Sequence, residues 1–177
     1  MTTRSENTSN LVQASRDDLR FFSNPGRNDR EQWVFEHWCA LTGRTPGNYN
    51  KGESPDFYSA GEAVEITEVQ QPGRRRGDEA RKAVEALQLG NVPDATDGGD
   101  LKSVLEHAHS WITSAIGKKA QKYGIKANDW ILLVYVNYSF SDRTQWDRVR
   151  PVCGDCLFFK AVHVVTADAA NFHILKP

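Results

Sequence analysis

Asp56 and Glu65, two carboxylates nine positions apart, are the residues whose types and spacing best fit chemistry in this chain. Glu65 lies in the run 63 to 70, Ala-Val-Glu-Ile-Thr-Glu-Val-Gln. Its β-branched residues favour a strand, in which side chains alternate between faces, so Glu65 and Thr67 share a face. Gly61 stands between the two carboxylates at a natural turn, and a hairpin folded about it brings them together. Convergent carboxylates repel each other unless a cation neutralises them, and hard oxygen ligands suit Mg²⁺ or Mn²⁺.

The elements that must position this pair follow from periodicity. Asn28 and Glu31 have capping-box spacing. Trp33, Val34, His37, Trp38 and Leu41 then recur at helical intervals until Gly43, which predicts a first helix carrying Glu36 among aromatic residues. Residues 44 to 54 are rich in Gly, Pro and Asn, with a short strand expected around 48 to 50. Hairpin strands are expected over 56 to 60 and 62 to 70. The segment 71 to 100 reads as a loop insertion with a short helix at about 78 to 89. From Asp100, an apolar stripe through Leu101, Val104, Leu105, Ala108, Ile112, Ala115, Ile116 and Tyr123 predicts a long amphipathic helix that stops at Gly124. Lys119 falls on that face, next to Lys118. The run 130 to 136 is almost wholly apolar, as in a strand buried on both sides. A short helix at 143 to 149 and strands near 158 to 165 and 171 to 176 complete the chain. This order predicts an α/β fold, a mixed β-sheet flanked by helices.

Pro55-Asp56 followed by Glu65-Ile66-Thr67 resembles the PD-(D/E)XK nuclease motif. The order of elements over residues 28 to 176 is similar to the restriction-endonuclease-like core. The resemblance implies a metal-dependent nuclease acting on nucleic acid, with DNA favoured. It implies that Asp56 and Glu65 hold Mg²⁺ or Mn²⁺, that the Ile66 carbonyl completes the shell, and that Glu36 on the first helix joins it. Thr67 stands where the family most often has lysine. In some members that lysine has migrated, and Lys119 is the candidate here, with Lys118 beside it. Gln70 is similar to a glutamine found near the site in several branches. A catalytically inactive nucleic-acid- or protein-binding module on the same fold is the alternative, and an oligomeric interaction protein is a third reading.

Arg74, Arg75 and Arg76 follow the proposed catalytic strand and form the strongest basic cluster. They read either as phosphate contacts or as a solvated loop. Cys153 and Cys156 have the spacing of zinc and redox pairs. The chain offers no second such pair, so an ordinary turn with two half-buried thiols is the simpler reading.

The whole-chain numbers set the outer limits. With 177 residues, 22 basic against 23 acidic and a net charge of −1, one domain is expected, preceded by a flexible leader at 1 to 27. Any nucleic-acid contact must then come from local patches. No apolar run approaches the roughly 20 residues that cross a bilayer, no signal peptide is visible, and three cysteines fit a reducing compartment. The expectation is cytoplasmic, without a membrane partner, and open to a homodimer or larger complex.

Overall fold

The computed structural model describes residues 4–23, 25–47, 54–73, 75–91, 101–137, 154–166 and 172–177. The elements are helices α1 (Arg4–Phe22), α2 (Arg27–Thr42), α3 (Arg76–Gln88) and α4 (Leu101–Tyr123), strands β1 (Phe57–Ser59), β2 (Glu62–Val69), β3 (Trp130–Val136), β4 (Ala161–Thr166) and β5 (Phe172–Lys176), and short 3-10 turns at Gly124–Asp129 and Gly154–Phe158. The strand expected at 48 to 50, the Asp100 cap and the helix at 143 to 149 lie outside the described residues.

The five strands form one mixed sheet in the order β1-β2-β3-β4-β5. The outer pairs are antiparallel and the two central ones, β2 with β3 and β3 with β4, are parallel. The chain is an α/β protein. Parallel neighbours require long crossovers, and α4 lies within the one from β2 to β3. Its Ala108, Ile112, Ile116 and Ala120 pack on Val69, Leu132, Val134, Val136, Val162 and Val164. On the opposite face Val34, Phe35, Trp38 and Cys39 of α2 pack on Phe57, Val64, Ile66, Ile131, Leu133, Tyr135 and Val165. Helices on both faces explain why β3 reads as an unbroken apolar run and why every residue of β4 is buried. Full burial of each large side chain among them contributes about 1.5–3 kcal/mol.

The chain divides into two compact units, and the sheet belongs to the one made of residues 32–72 and 100–177. The other comprises residues 1–31 and 73–99, and here one expectation is corrected. The leader carries a 19-residue helix, α1, instead of a flexible segment, while the insertion carries α3 close to the short helix expected at about 78 to 89. Val12, Ser15, Leu19 and Phe22 form a half-buried stripe on α1 at helical spacing, while Val84 and Leu87 are buried on α3. The Arg76 guanidinium lies 4.3 Å from the centroid of the Phe22 ring. The capping box is corrected as well, because α2 begins before Asn28 and Glu31 instead accepts from Arg27 Nε at 2.8 Å. Gly26 sets that start: a Cβ there would lie 2.0 Å from the Arg20 carbonyl oxygen. Buried Arg30 donates to the Phe21 and Ser23 carbonyls and so closes the C-terminal end of α1.

The thiol expectation changes too. Cys39 is a free, buried cysteine whose pKa burial raises, whereas Cys156 is disulfide-bonded. Cys153 lies outside the described residues. Among the described residues no helix is long and apolar enough to cross a membrane.

Beneath α2, His163 of β4 accepts at Nδ1 a hydrogen bond from Trp38 Nε1 (2.9 Å) and is 6% exposed. Burial, reinforced by the Arg44 charge, lowers its pKa from 6.5 to about 4. The unfolded chain therefore takes up this proton first, and stability should fall as pH drops from 6.5 towards 4. The full effect is on the order of 3 kcal/mol. Urea unfolding across that range should show a shallower slope in His163→Gln, whose side-chain oxygen can still accept from Trp38. An identical slope would remove His163 as the cause.

Candidate active site

The hairpin turns at Ala60 and Gly61, both with positive φ (50° and 82°). Pairing runs Ser59↔Glu62, Tyr58↔Ala63, Phe57↔Val64, and one further step of this register sets Asp56 opposite Glu65. Facing residues of an antiparallel pair project to the same side of the sheet, here the α4 side, since Val64 and Phe57 point to α2. The Asp56 carboxylate accepts the Ile66 backbone N–H at 2.7 Å. Strand N–H and C=O groups of one residue point to the same edge, so the Ile66 carbonyl is directed to the edge where Asp56 sits.

Glu65 is the unusual member. It is 1% exposed in the middle of an apolar sheet, and burying an unpaired carboxylate is strongly unfavourable. Helix α4 supplies the compensation. The Lys119 ammonium donates to Oε1, and the Tyr123 hydroxyl donates to the same oxygen at 2.6 Å. Oε2 is buried without a hydrogen-bond partner among the described residues. Tyr123 is also the junction of a small network, because its oxygen accepts from the Lys122 ammonium at 2.7 Å and lies 2.8 Å from Ser54 Oγ. That bond to Tyr123 raises the Lys122 pKa against partial desolvation, and Glu65 and Asp56 act in the same direction.

A pocket of about 410 Å³ opens between the C-terminal end of β2 and α4, lined by Thr67, Glu68, Val69, Gln70, Pro72, Trp111, Ser114, Ala115, Lys118, Lys122 and Lys119, the partner of Glu65. Thr67, Gln70, Lys118 and Lys119 therefore share one cavity. Glu36 does not join them. It is exposed on α2, which covers the other face of the sheet, and its Oε1 accepts from Gln32 Nε2 at 2.8 Å. The helical periodicity that buries Val34, Phe35, Trp38 and Cys39 turns Glu36 outward. Arg75 and Arg76 lie in the α1–α3 unit, Arg75 exposed and Arg76 over Phe22. Arg74 lies outside the described residues.

Sequence reasoning places Tyr123 in the apolar stripe and passes over its hydroxyl, and with it Lys122 and Ser54. A signal is nevertheless present. Tyr123 follows Lys119 by one helical turn on a face turned towards a strand carboxylate, and a partly buried phenol gains from a partner.

Fold and site together define an α/β protein whose strand hairpin presents two carboxylates to a lysine-rich helix. The chain belongs to the family described as "Putative endonuclease, protein of unknown function (DUF1780)", whose model matches residues 3–145. No curated protein matches it. Among solved structures it is similar to a protein of unknown function from Pseudomonas aeruginosa strain PAO1, described as of the monooxygenase superfamily. The identity is 17% and the TM-score 0.49, over 98% of this chain and 86% of that one.

The network predicts an asymmetry between neighbours. Tyr123→Phe keeps the ring but deletes the donor to a buried carboxylate, and should lower stability by about 1.5 kcal/mol. Lys122→Ala, at an exposed position, should change it by less than about 0.5 kcal/mol. Urea midpoints of the two variants make the comparison, and equal losses would mean that the Tyr123–Glu65 bond contributes little.

Proposed function

We propose that this chain hydrolyses phosphodiester bonds of nucleic acid with a divalent metal, in the manner of the PD-(D/E)XK nucleases it resembles, with DNA favoured as substrate. The observation that carries the reading is the Asp56–Glu65 pair across the hairpin, with Glu65 Oε2 buried and lacking a hydrogen-bond partner among the described residues. A buried anionic oxygen without a donor is unfavourable, and a cation is the ligand that offsets it. The residues fit one Mg²⁺ or Mn²⁺ held by Asp56, Glu65 and the Ile66 carbonyl, with water in the remaining positions, as Mg²⁺ commonly retains. Among the described residues no group of three or more His, Cys, Asp and Glu is assembled, and Glu36 is turned away, so the fit is to a single ion. When bound, such an ion polarises the phosphoryl oxygen and lowers the pKa of an attacking water.

The chain's own residues do the rest. Lys119, held at Glu65 on the pocket wall, offers positive charge to the phosphate as negative charge grows on its oxygens, the role Thr67 cannot fill. Tyr123 fixes the carboxylate of Glu65 and the ammonium of Lys122. Lys118 on the α4 side of the pocket and Gln70 at the end of β2 position the backbone without reading sequence. With Arg76 placed over Phe22, phosphate contact by the basic run rests on Arg74 and Arg75.

One observation favours a second reading, a binding module without hydrolysis. Lys119 already neutralises Glu65, so the carboxylate has a counter-charge without any metal. The two readings differ in metal dependence. On the nuclease reading Mn²⁺ raises the melting temperature of the wild type, since a ligand of the native state stabilises it, and this rise disappears in Asp56→Asn together with Mg²⁺-dependent cleavage. Lys119→Met should slow cleavage by ~10²-fold, the scale of removing one electrostatic donor, and Thr67→Ala should leave it nearly unchanged. Purified protein that cleaves no nucleic acid with either metal and shows no Mn²⁺ stabilisation would leave the binding module as the better account.

A further inference from the structure

The pocket between β2 and α4 has a composition that bears on the form of the nucleic acid. Its α4 wall, residues 111, 114, 115, 118, 119 and 122, is a single helical stripe that begins with an indole and ends with ammonium groups. His107, one turn before Trp111, sets its ring nearly parallel to that indole, with an interplanar angle of 15° and centroids 6.5 Å apart. Three lysines line the pocket, while its one lining glutamate, Glu68, has the strand parity of Val64 and Ile66, which point to α2, and accepts from Asn137 Nδ2 at 2.6 Å. The volume of about 410 Å³ falls within the range of small-molecule sites, roughly 300–1,000 Å³. That volume suits one unstacked nucleotide.

We infer that this pocket receives an unpaired nucleotide, its base against Trp111 and its phosphate between Lys118 and Lys122, so that the preferred substrate is a single strand or a splayed end and not continuous duplex. The inference rests on the nucleic-acid reading given above. Aromatic side chains combined with a positive groove are the usual means of holding single strands, because every base has a stacking face while the charge tracks the backbone. Lys119 both lines the pocket and bonds Glu65, so a phosphate held there lies about one lysine side chain from that carboxylate. Discrimination between strand forms then arises from shape and stacking, without base-edge hydrogen bonds.

Fluorescence anisotropy of labelled oligothymidylate, oligouridylate and a blunt duplex of the same length tests this on the full-length protein, with chelator present to prevent hydrolysis. The single strands should bind at least about tenfold tighter than the duplex. Trp111→Leu, which keeps apolar contact with the core, should weaken single-strand binding by about fivefold or more while its far-UV circular dichroism matches the wild type. Lys118→Ala with Lys122→Ala should lower the slope of log affinity against log salt by about 0.7 for each phosphate no longer neutralised. Equal affinity for duplex and single strands, or unchanged binding by a folded Trp111→Leu, would overturn the inference. Should single strands bind as described but stay intact with Mg²⁺ or Mn²⁺, the hydrolytic reading fails and the pocket assignment stands. Cleavage of duplex with no preference for unpaired strands would sustain hydrolysis and refute the pocket assignment.

Discussion

A carboxylate in the middle of an apolar sheet is the constraint around which this fold is arranged. Glu65 is almost wholly removed from solvent, and an isolated charge there would cost several kcal/mol even after relaxation. The ammonium of Lys119 and the hydroxyl of Tyr123 offset that cost. Both lie on α4, so the position of this helix over the sheet is set by charge pairing as much as by its apolar stripe. Removing the lysine would leave the buried anion without its counter-charge, which is more damaging than the absence of an ordinary surface pair. Lys119 thus has a structural task in addition to the catalytic one proposed for it.

The same helix solves the topological problem. Parallel pairing of β2 with β3 needs a crossover, and α4 provides it while covering the face to which Asp56, Glu65 and Thr67 point. Strand alternation divides the acidic residues of β2 by face, with Glu62 and Glu68 opposite Glu65. Glu65 shares its side of the sheet with Val69 and the lysines, whereas α2 covers the other side and turns Glu36 to water. A single residue of slip in β2 would exchange the two faces, placing Glu65 under the aromatic cluster of α2 and Ile66 towards the lysines.

The hairpin, the long helix and the central strand are legible because each rests on a local signal: a glycine between β-branched runs, a stripe at helical spacing, an unbroken apolar run. The link from Asp56 to Glu65 needs only strand register, and Lys119 needs only its position on the stripe. What escapes depends on distant partners. Helix α1 reads as a leader because its stripe of Val12, Ser15, Leu19 and Phe22 is weak alone, and its counterpart Val84 and Leu87 lies some 70 residues further on. Glu36 is misplaced because membership of a helix does not say which face of a sheet that helix covers. Tyr123 reads as hydrophobic because its ring behaves so, and its hydroxyl gains meaning only once β2 lies beneath it.

The pairing of Ala63 with Trp130 has a consequence for how the molecule reaches its native state. The hairpin of β1 and β2 can close early, since its contacts are local, whereas β2 and β3 meet only after the long intervening chain has been brought round. Until then Glu65 sits on an incomplete sheet, hydrated and without its lysine. The chemistry-bearing hairpin is thus among the earliest parts to form, while the environment that gives its carboxylate unusual character is among the last. The assembly of the binding pocket should therefore coincide with the rate-limiting event of folding, and conditions that slow crossover formation will delay competence more than they delay secondary structure.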